Sequence, residues 1–458
     1  MFYNRENELA LLEREHARKR ASFTVIYGRR RVGKTSLLNY FMRDKPAIYY
    51  YATETTAKYQ IESFSRQIVQ FLDKEYLQNT SFSGLENLLE FTADHLSDKG
   101  SKIIVAIDEY PVLSMAVPGC SSILQKIWDL HLSRKNVHLI LCGSSMSMMH
   151  SEILDYTSPL YGRRTANIHL QPMRFRDIRY FLPNMPAMAQ MNVYAALGTV
   201  PKYLEMYDAE RDFWDNIRGN VLHKDSYLYQ EARFLLKDEL AEPATFFSIL
   251  QAVAGGHTRI GDLGSRLGVS SSHLSRYMKK LYELDLLARE VPVTEKNPLK
   301  SKLGRYRFRD RYLRFWFEYV FRNSSLLESG HIDTVLQEIK NSFTERFVAH
   351  AFEDYVLERI QEEPGRFLGF IPTKIGRWWT NKQEIDLVAI GDKNVAYIEC
   401  KWREQLVGYD VYADLKAKSA DVGYAADPLY VLFSKNGFRQ SLKEADDLRC
   451  FAFEETLP

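Results

Sequence analysis

Cysteine is scarce. Only Cys120, Cys142, Cys400 and Cys450 occur among 458 residues, and no two stand at C-x-x-C spacing. That excludes a zinc ribbon or a disulfide framework and points to a reducing compartment. No apolar run approaches the ~20 residues that a membrane span needs. The opening Met1-Phe2-Tyr3-Asn4-Arg5-Glu6 lacks the pattern of a signal peptide. The expected location is therefore the cytoplasm, with no membrane partner. Charge of one sign is not in excess either. The net charge is +2, so the whole-chain balance implies no partner. Internal repeats and low-complexity tracts are missing. What remains is ordinary for a globular protein, 45% hydrophobic and 26% charged. The length suggests about three domains.

Against this plain background one stretch stands out, Gly28-Arg29-Arg30-Arg31-Val32-Gly33-Lys34-Thr35. It fits G-x-x-x-x-G-K-[ST], and its context fits as well. Phe23-Thr24-Val25-Ile26-Tyr27 leads in as a buried strand. Ser36-Leu37-Leu38-Asn39-Tyr40-Phe41 leads out with helical spacing. Two glycines let the backbone wrap so that successive N–H groups point at one anion, and the helix start adds partial positive charge. Lys34 is placed to reach the β- and γ-phosphates of ATP. The Thr35 hydroxyl is placed to ligate Mg²⁺, and Ser36 opens the helix.

Five apolar runs predict a parallel sheet with crossover helices: Phe23–Tyr27, Ala47–Ala52, Ile103–Ile107, Val137–Cys142 and Ala166–Leu170. Residues 6–20 read as an amphipathic helix. Ile103–Ile107 ends in Asp108-Glu109, which a buried strand delivers to the sheet edge where ligands bind. Asp108 is expected to hold Mg²⁺ through water, and Glu109 to orient and deprotonate the attacking water. After Val137–Cys142, Ser144 or Ser145 is a candidate sensor of the γ-phosphate, with an ordinary Gly-Ser turn as the alternative. Arg163, in Tyr161-Gly162-Arg163-Arg164, is a candidate for neutralising transition-state charge, with a surface basic pair as the alternative.

Together these residues resemble the archaeal and bacterial ATPase family of the STAND branch of AAA+-like P-loop proteins. Phe2-x-x-Arg5-Glu6-x-Glu8-Leu9, Pro159-Leu160-Tyr161-Gly162-Arg163 and Gly198-Thr199-Val200-Pro201-Lys202-Tyr203-Leu204 also carry the resemblance. It covers roughly residues 1–235 and implies an ATP-dependent switch, with Arg5 and Pro201 near the adenine. Thr199 stands where the family often has a second glycine, which weakens the assignment of that turn. The expected organisation is a P-loop ATPase core over 1–171, a helical lid over 172–235, a winged helix over 236–322 and a last domain over 323–458.

Residues 260–267 and 271–284 have helix-turn-helix spacing, with Gly268 at the turn and Leu274, Met278, Leu281 and Leu284 facing inward. A hairpin follows, whose loop carries Lys296, Lys300, Lys302 and Arg305. Residues 256–311 hold 13 Lys and Arg against 6 Asp and Glu, a plausible phosphate-backbone footprint for DNA. Arg276, Lys279 and Lys280 are placed on the outer face. Packing or relay within the ATPase is the alternative role. Phe315-Trp316-Phe317 reads as core, and Asn323-Ser324-Ser325 with Glu328-Ser329-Gly330 as a linker.

In the last segment Ser342–Ile360 reads as a helix carrying Glu345 and Glu353. Glu384–Ile390 and Val395–Trp402 read as a hairpin around Gly391–Asn394. Residues i and i+2 of a strand share a face, so Glu399 and Lys401 point together, and the hairpin brings Asp386 alongside. Two carboxylates make a hard-oxygen Mg²⁺ site, and a lysine beside them stabilises charge on a phosphodiester. The order D-x(12)-E-x-K resembles the PD-(D/E)xK nuclease superfamily, and more specifically the C-terminal domain often fused to this ATPase family. Ile385 stands where proline is sometimes found. The resemblance implies a restriction-endonuclease-like fold, with Glu353 as a helix-borne acid assisting the metal. The expected fold class is α/β throughout.

Three functions fit. The first is an ATPase that controls DNA binding and Mg²⁺-dependent cleavage. The second is a signalling switch that assembles as a nucleotide-dependent homo-oligomer around a non-catalytic scaffold. The third is a transcription regulator.

Overall fold

The computed structural model describes residues 2–73, 81–96, 100–237, 239–240, 242–424, 427–442 and 447–458. It divides into two compact units, Met1–Met173 and Arg174–Pro458.

The first unit is built on strands β1 (Ser22–Tyr27), β2 (Ala47–Tyr51), β3 (Ile103–Asp108), β4 (Val137–Gly143) and β5 (Ala166–His169), in the order β2-β3-β4-β1-β5. Every neighbouring pair is parallel. A parallel sheet is covered on both faces, so its strands need apolar residues at every position rather than alternate ones. Ile103, Val105 and Ile107 with Val137, Leu139 and Leu141 form one core. Ile104 and Ala106 with Ile140 and Cys142 form the other.

Helix α1 (Glu6–His16) and helix α2 (Lys34–Met42) cover the second core through Leu12, Leu37, Leu38 and Phe41. Helices α3 (Ala57–Leu72), α4 (Leu85–His95), α5 (Tyr110–Ala116) and α6 (Cys120–Leu130) cover the first. Full burial of each such Leu or Ile contributes roughly 1.5–3 kcal/mol before conformational entropy is counted. The five strands and the α/β class expected from the apolar runs are what the fold contains.

Register sets the geometry at the carboxyl edge. Tyr27 pairs with Gly143, and Ile107 with Leu141. The turns after β1, β3 and β4 therefore open side by side. Gly143 keeps them close, because a Cβ there would lie 2.5 Å from both Pro111 and the Met149 sulfur.

The second unit begins with helices that include Ala187–Leu197, Tyr227–Lys237 and Pro243–Ala254. Then come α7 (Ile260–Leu267) and α8 (Ser271–Glu283), joined by a turn with Gly268 at φ 67°. The Ser270 hydroxyl caps α8 by accepting from the His273 amide at 3.3 Å. Leu274, Met278, Leu281 and Leu284 are all buried. The antiparallel strands β6 (Leu287–Glu290) and β7 (Arg305–Phe308) follow. Helix α9 (Arg311–Phe315) leads into the buried Trp316 and Phe317.

The segment whose composition predicts a linker is instead helical over Ser324–Glu328. Its polar flanks conceal Leu327, which is only 1% exposed and anchors the turn. The chain is then helical from Ile332 to Glu362 with one wider turn, Thr344–Val348. The last part of that stretch is α10 (Ala349–Glu362).

A mixed sheet closes the chain, built of β8 (Lys374–Trp379), β9 (Glu384–Ile390), β10 (Asn394–Lys401), β11 (Asp427–Ser434) and β12 (Leu448–Ala452) in the order β12-β11-β10-β9-β8. Pairs β8–β9 and β9–β10 are antiparallel, and β10–β11 and β11–β12 are parallel. Helix α11 (Tyr409–Ser419), which follows β10, packs Val411, Tyr412 and Leu415 on Val388, Val395 and Tyr397.

Candidate functional site: a phosphate loop and a carboxylate cluster

The loop between β1 and α2 holds three residues at positive φ, Gly28 at 154°, Arg31 at 72° and Gly33 at 96°. Gly28 is required for contact. A Cβ there would sit 2.4 Å from the Leu170 carbonyl oxygen. Lys34 turns its Nζ onto the loop's own carbonyls, those of Gly28 and Arg29, each at 2.9 Å. The ammonium is buried, and burial lowers its pKa. Val32 is buried behind the loop, while Arg30 and Ser36 are exposed. Arg5 braces the loop, donating to the carbonyls of Val32 at 3.0 Å and Gln171 at 2.7 Å and pairing with Glu8 at 3.2 Å.

Asp108 is fully buried at the end of β3. Its Oδ2 accepts from the Thr35 hydroxyl at 2.7 Å and from the Tyr49 hydroxyl at 3.0 Å, and its Oδ1 from the Glu109 amide at 3.0 Å. Burial and the adjacent carboxylate push the Tyr49 phenol well above its usual range. Burial likewise raises the Cys142 thiol, which neighbours Asp108. Glu109 follows in the left-handed region, φ 52°. Its Oε2 accepts from the Ser144 amide at 3.2 Å and hydroxyl at 2.8 Å.

Lys34, Thr35, Asp108, Glu109 and Ser144 thus come together. Arg163 is engaged elsewhere, in a forked pair with Asp129 at 3.0 and 2.8 Å. Pro201 begins the helix Pro201–Glu205 of the second unit. Tyr49 is a participant that sequence reading missed. It pairs with Ala106 and so shares a sheet face with Asp108 two residues on, a relation visible only once β2 is known to pair with β3.

The donor set fits ATP with Mg²⁺. A buried ammonium rests on neutral carbonyls alone, and a hydroxyl and a carboxylate lie in contact as hard-oxygen ligands.

The second unit carries the other expected constellation. Pairing of β9 with β10 reaches Leu387↔Ile398, so Asp386 and Glu399 are the next residues on the two strands. The Cys400 amide donates to Asp386 Oδ2 at 2.8 Å, and Lys401 Nζ to Glu399 Oε1 at 2.5 Å. Burial, then the nearby Glu399 and Glu353 carboxylates, raise the Asp386 pKa well above its ordinary value. Glu399 Oε2 is buried without a hydrogen-bond partner.

Glu353 is turned to other partners. It accepts from His350 at 3.1 Å and from Arg377 at 3.1 Å. Burial alone would raise its pKa, but His350, Arg377 and Arg307 outweigh burial and hold it at about 2. Among the described residues no group of three or more His, Cys, Asp and Glu side chains is arranged to hold a metal. The orphaned Glu399 oxygen and the repelled Asp386 carboxyl are nonetheless chemistry that a cation would relieve.

Part of the basic stretch faces inward. Arg305 pairs with Glu384 at 2.9 Å, Arg309 with Asp285 at 2.9 Å, and Arg307 with Glu290 at 3.2 Å. On α8, Arg276 and Lys279 stay exposed, with side chains 73% and 78% accessible.

Residues 2–207 match a family described as an ATPase domain predominantly from Archaea. Residues 316–418 match a family of archaeal and bacterial proteins of unknown function. An uncharacterized protein of Methanocaldococcus jannaschii is 34% identical over 99% of this chain and 100% of its own length. The chain belongs to this archaeal ATPase-domain family. An uncharacterized ATP-binding protein of the same organism is 49% identical over 10% of this chain and 76% of its own. Among solved structures, the Walker-type ATPase of Pyrococcus abyssi superposes with a TM-score of 0.50 at 20% identity, covering 69% of this chain and 96% of that one. That likeness bears on fold alone, and it agrees with the P-loop sheet of the archaeal ATPase-domain family. No described helix is long and apolar enough to cross a membrane.

Proposed function

We propose that this protein binds and hydrolyses ATP at the 28–35 loop and uses its nucleotide state to control how the second unit handles DNA. The observation that carries the ATPase reading is the placement of Thr35 on Asp108 at 2.7 Å beside a Glu109 held by Ser144. Thr35 and Asp108 would hold Mg²⁺, which when bound neutralises charge on the β- and γ-phosphates. Lys34 exchanges its two carbonyl partners for phosphate oxygens. Glu109 takes the proton of the attacking water and Ser144 aims its carboxylate. Arg163 serves as the charge-neutralising arginine once released from Asp129. Arg5 lies near the adenine, as the family resemblance implies.

In the second unit, the helix pair α7–α8 with the β6–β7 hairpin is read as a winged helix that contacts the DNA backbone through the exposed face of α8. Residues 323–458 are read as a PD-(D/E)xK nuclease-like domain. There Asp386 and Glu399 hold Mg²⁺, Lys401 stabilises charge on the phosphodiester, and Glu353 assists from α10. The partition into 1–171, 172–235, 236–322 and 323–458 belongs to the same proposal, as does a cytoplasmic location.

One observation favours a second reading. Glu353 is bound to Arg377 and His350, and Lys401 to Glu399. A domain with these acids occupied serves as a non-catalytic scaffold in a STAND-type signalling switch that assembles as a homo-oligomer. Incubation of plasmid DNA with the protein, Mg²⁺ and ATP separates the two. Cleavage that disappears in Asp386→Ala and Lys401→Ala supports the DNA-processing reading. Intact plasmid with ATP-dependent oligomerisation supports the switch.

A further inference from the structure

The second unit encloses a cavity of about 430 Å³ that reaches from β7 and α9 to α10, β8 and β9. Pockets for small ligands and cofactors run from about 300 to 1,000 Å³, so one nucleotide-sized group fits. Asp386 and Glu353 line it, and so do Arg307, Arg311, Arg314 and Arg346.

Seven arginines and six carboxylates line the cavity. Asp354 alone receives Arg307 at 3.4 Å, Arg377 at 2.5 Å and Arg311. Arg346 is committed to the buried Glu318 at 2.5 Å. Arg314 is left without a carboxylate. Its Nη2 donates to the Arg346 carbonyl at 2.7 Å and its guanidinium lies 4.6 Å from the centre of the Phe347 ring. Among the described residues it forms no ion pair. Burial, then the neighbouring Arg307 and Arg311, push its pKa down to about 10. Of the seven arginines that line the cavity, Arg314 is thus the one that no described carboxylate pairs. A planar guanidinium backed by an aromatic ring presents a forked pair of donors, the geometry that suits phosphate oxygens.

We infer that the cavity at Arg314 binds a phosphate group carried by a nucleic-acid strand or by a free nucleotide. Arg314 meets the phosphate in the cavity that Asp386 also lines. The site is separate from the 28–35 loop. It deepens the reading of the second unit as a nucleic-acid handler, and rests on that reading only for the source of the phosphate.

The test uses the full chain carrying Lys34→Ala, which removes the loop as a competing phosphate site. Two probes are titrated, a short 5′-phosphorylated oligonucleotide and AMP, against that chain with and without Arg314→Gln. The expected result is about tenfold weaker binding in Arg314→Gln for the probe that occupies the site. Loss with the oligonucleotide assigns the source to nucleic acid, and loss with AMP alone assigns it to a free nucleotide. If Arg314→Gln does not fold, Arg314→Lys keeps the charge but not the fork, and weaker binding is again expected. Equal affinities with and without the substitution, or no binding of either probe, overturn the inference. Failure of the ATP-coupled reading would leave these affinities as stated, because no nucleotide-driven step operates in the Lys34→Ala background.

Discussion

Ser144→Ala tests how Glu109 is aimed. In the structure one carboxylate oxygen, Oε2, takes two hydrogen bonds from Ser144, 2.8 Å from the hydroxyl and 3.2 Å from the amide. Alanine keeps the amide bond and deletes the shorter one. A hydrogen bond to a charged group contributes about 1.5–3 kcal/mol. If that bond orients Glu109 in the hydrolysing state, its loss raises the barrier by up to this amount. At about 1.4 kcal/mol per tenfold in rate, turnover falls roughly 10- to 150-fold. ATP affinity stays as in the wild type, because Ser144 touches neither Lys34 nor Thr35 through any hydrogen bond in the structure. The assay is phosphate release at saturating ATP, with affinity from calorimetry. Ser145→Ala is the control, since the hydroxyl on Glu109 is that of Ser144. Unchanged or faster turnover in Ser144→Ala would refute the reasoning, and so would an equal loss in Ser145→Ala.

Gly28→Ala places a Cβ 2.4 Å from the Leu170 oxygen, against ordinary contact at 3.4 Å or more. We expect a loss of about 1–3 kcal/mol in urea denaturation, together with weaker ATP binding; wild-type values for both would show that the loop has room. Glu358 has a pKa raised from 4.5 to about 7 by burial and then by Glu362, and its Oε1 is buried without a partner. A raised carboxyl pKa contributes stability that is full below the unfolded value near 4.5 and lost as pH rises through about 7. Unfolding free energies from urea denaturation should therefore fall between pH 5 and 8 by up to about 3 kcal/mol, and Glu358→Gln should flatten that slope. A slope of equal size in the variant would assign the effect to other groups.

The first unit was legible because its physics is local. Buried parallel strands demand continuous apolar runs, and all five stand in the sequence near their observed bounds. The phosphate loop and Asp108-Glu109 fall at strand ends for the same reason. The Tyr49 contact with Asp108 was not legible, since it depends on strand order rather than on either strand's own sequence. The linker expectation failed at Leu327, where a single apolar residue inside a polar segment decided packing. The ion pairs of the basic stretch were not legible. Composition counts charges but does not say where they point, so the excess over 256–311 includes Arg305, Arg307 and Arg309, which are ion-paired with Glu384, Glu290 and Asp285. The hairpin that joins Asp386 to Glu399 follows from alternation and a turn. The capture of Glu353 by Arg377 needs the tertiary fold.

The central claim is that the turn between β1 and α2 grips the phosphates of ATP. Calorimetric titration of ATP and Mg²⁺ into the wild type and Lys34→Ala tests it most directly. Saturable binding at one site in the wild type, abolished by removing the Lys34 ammonium, is the predicted result. Equal affinity in the two proteins would contradict it.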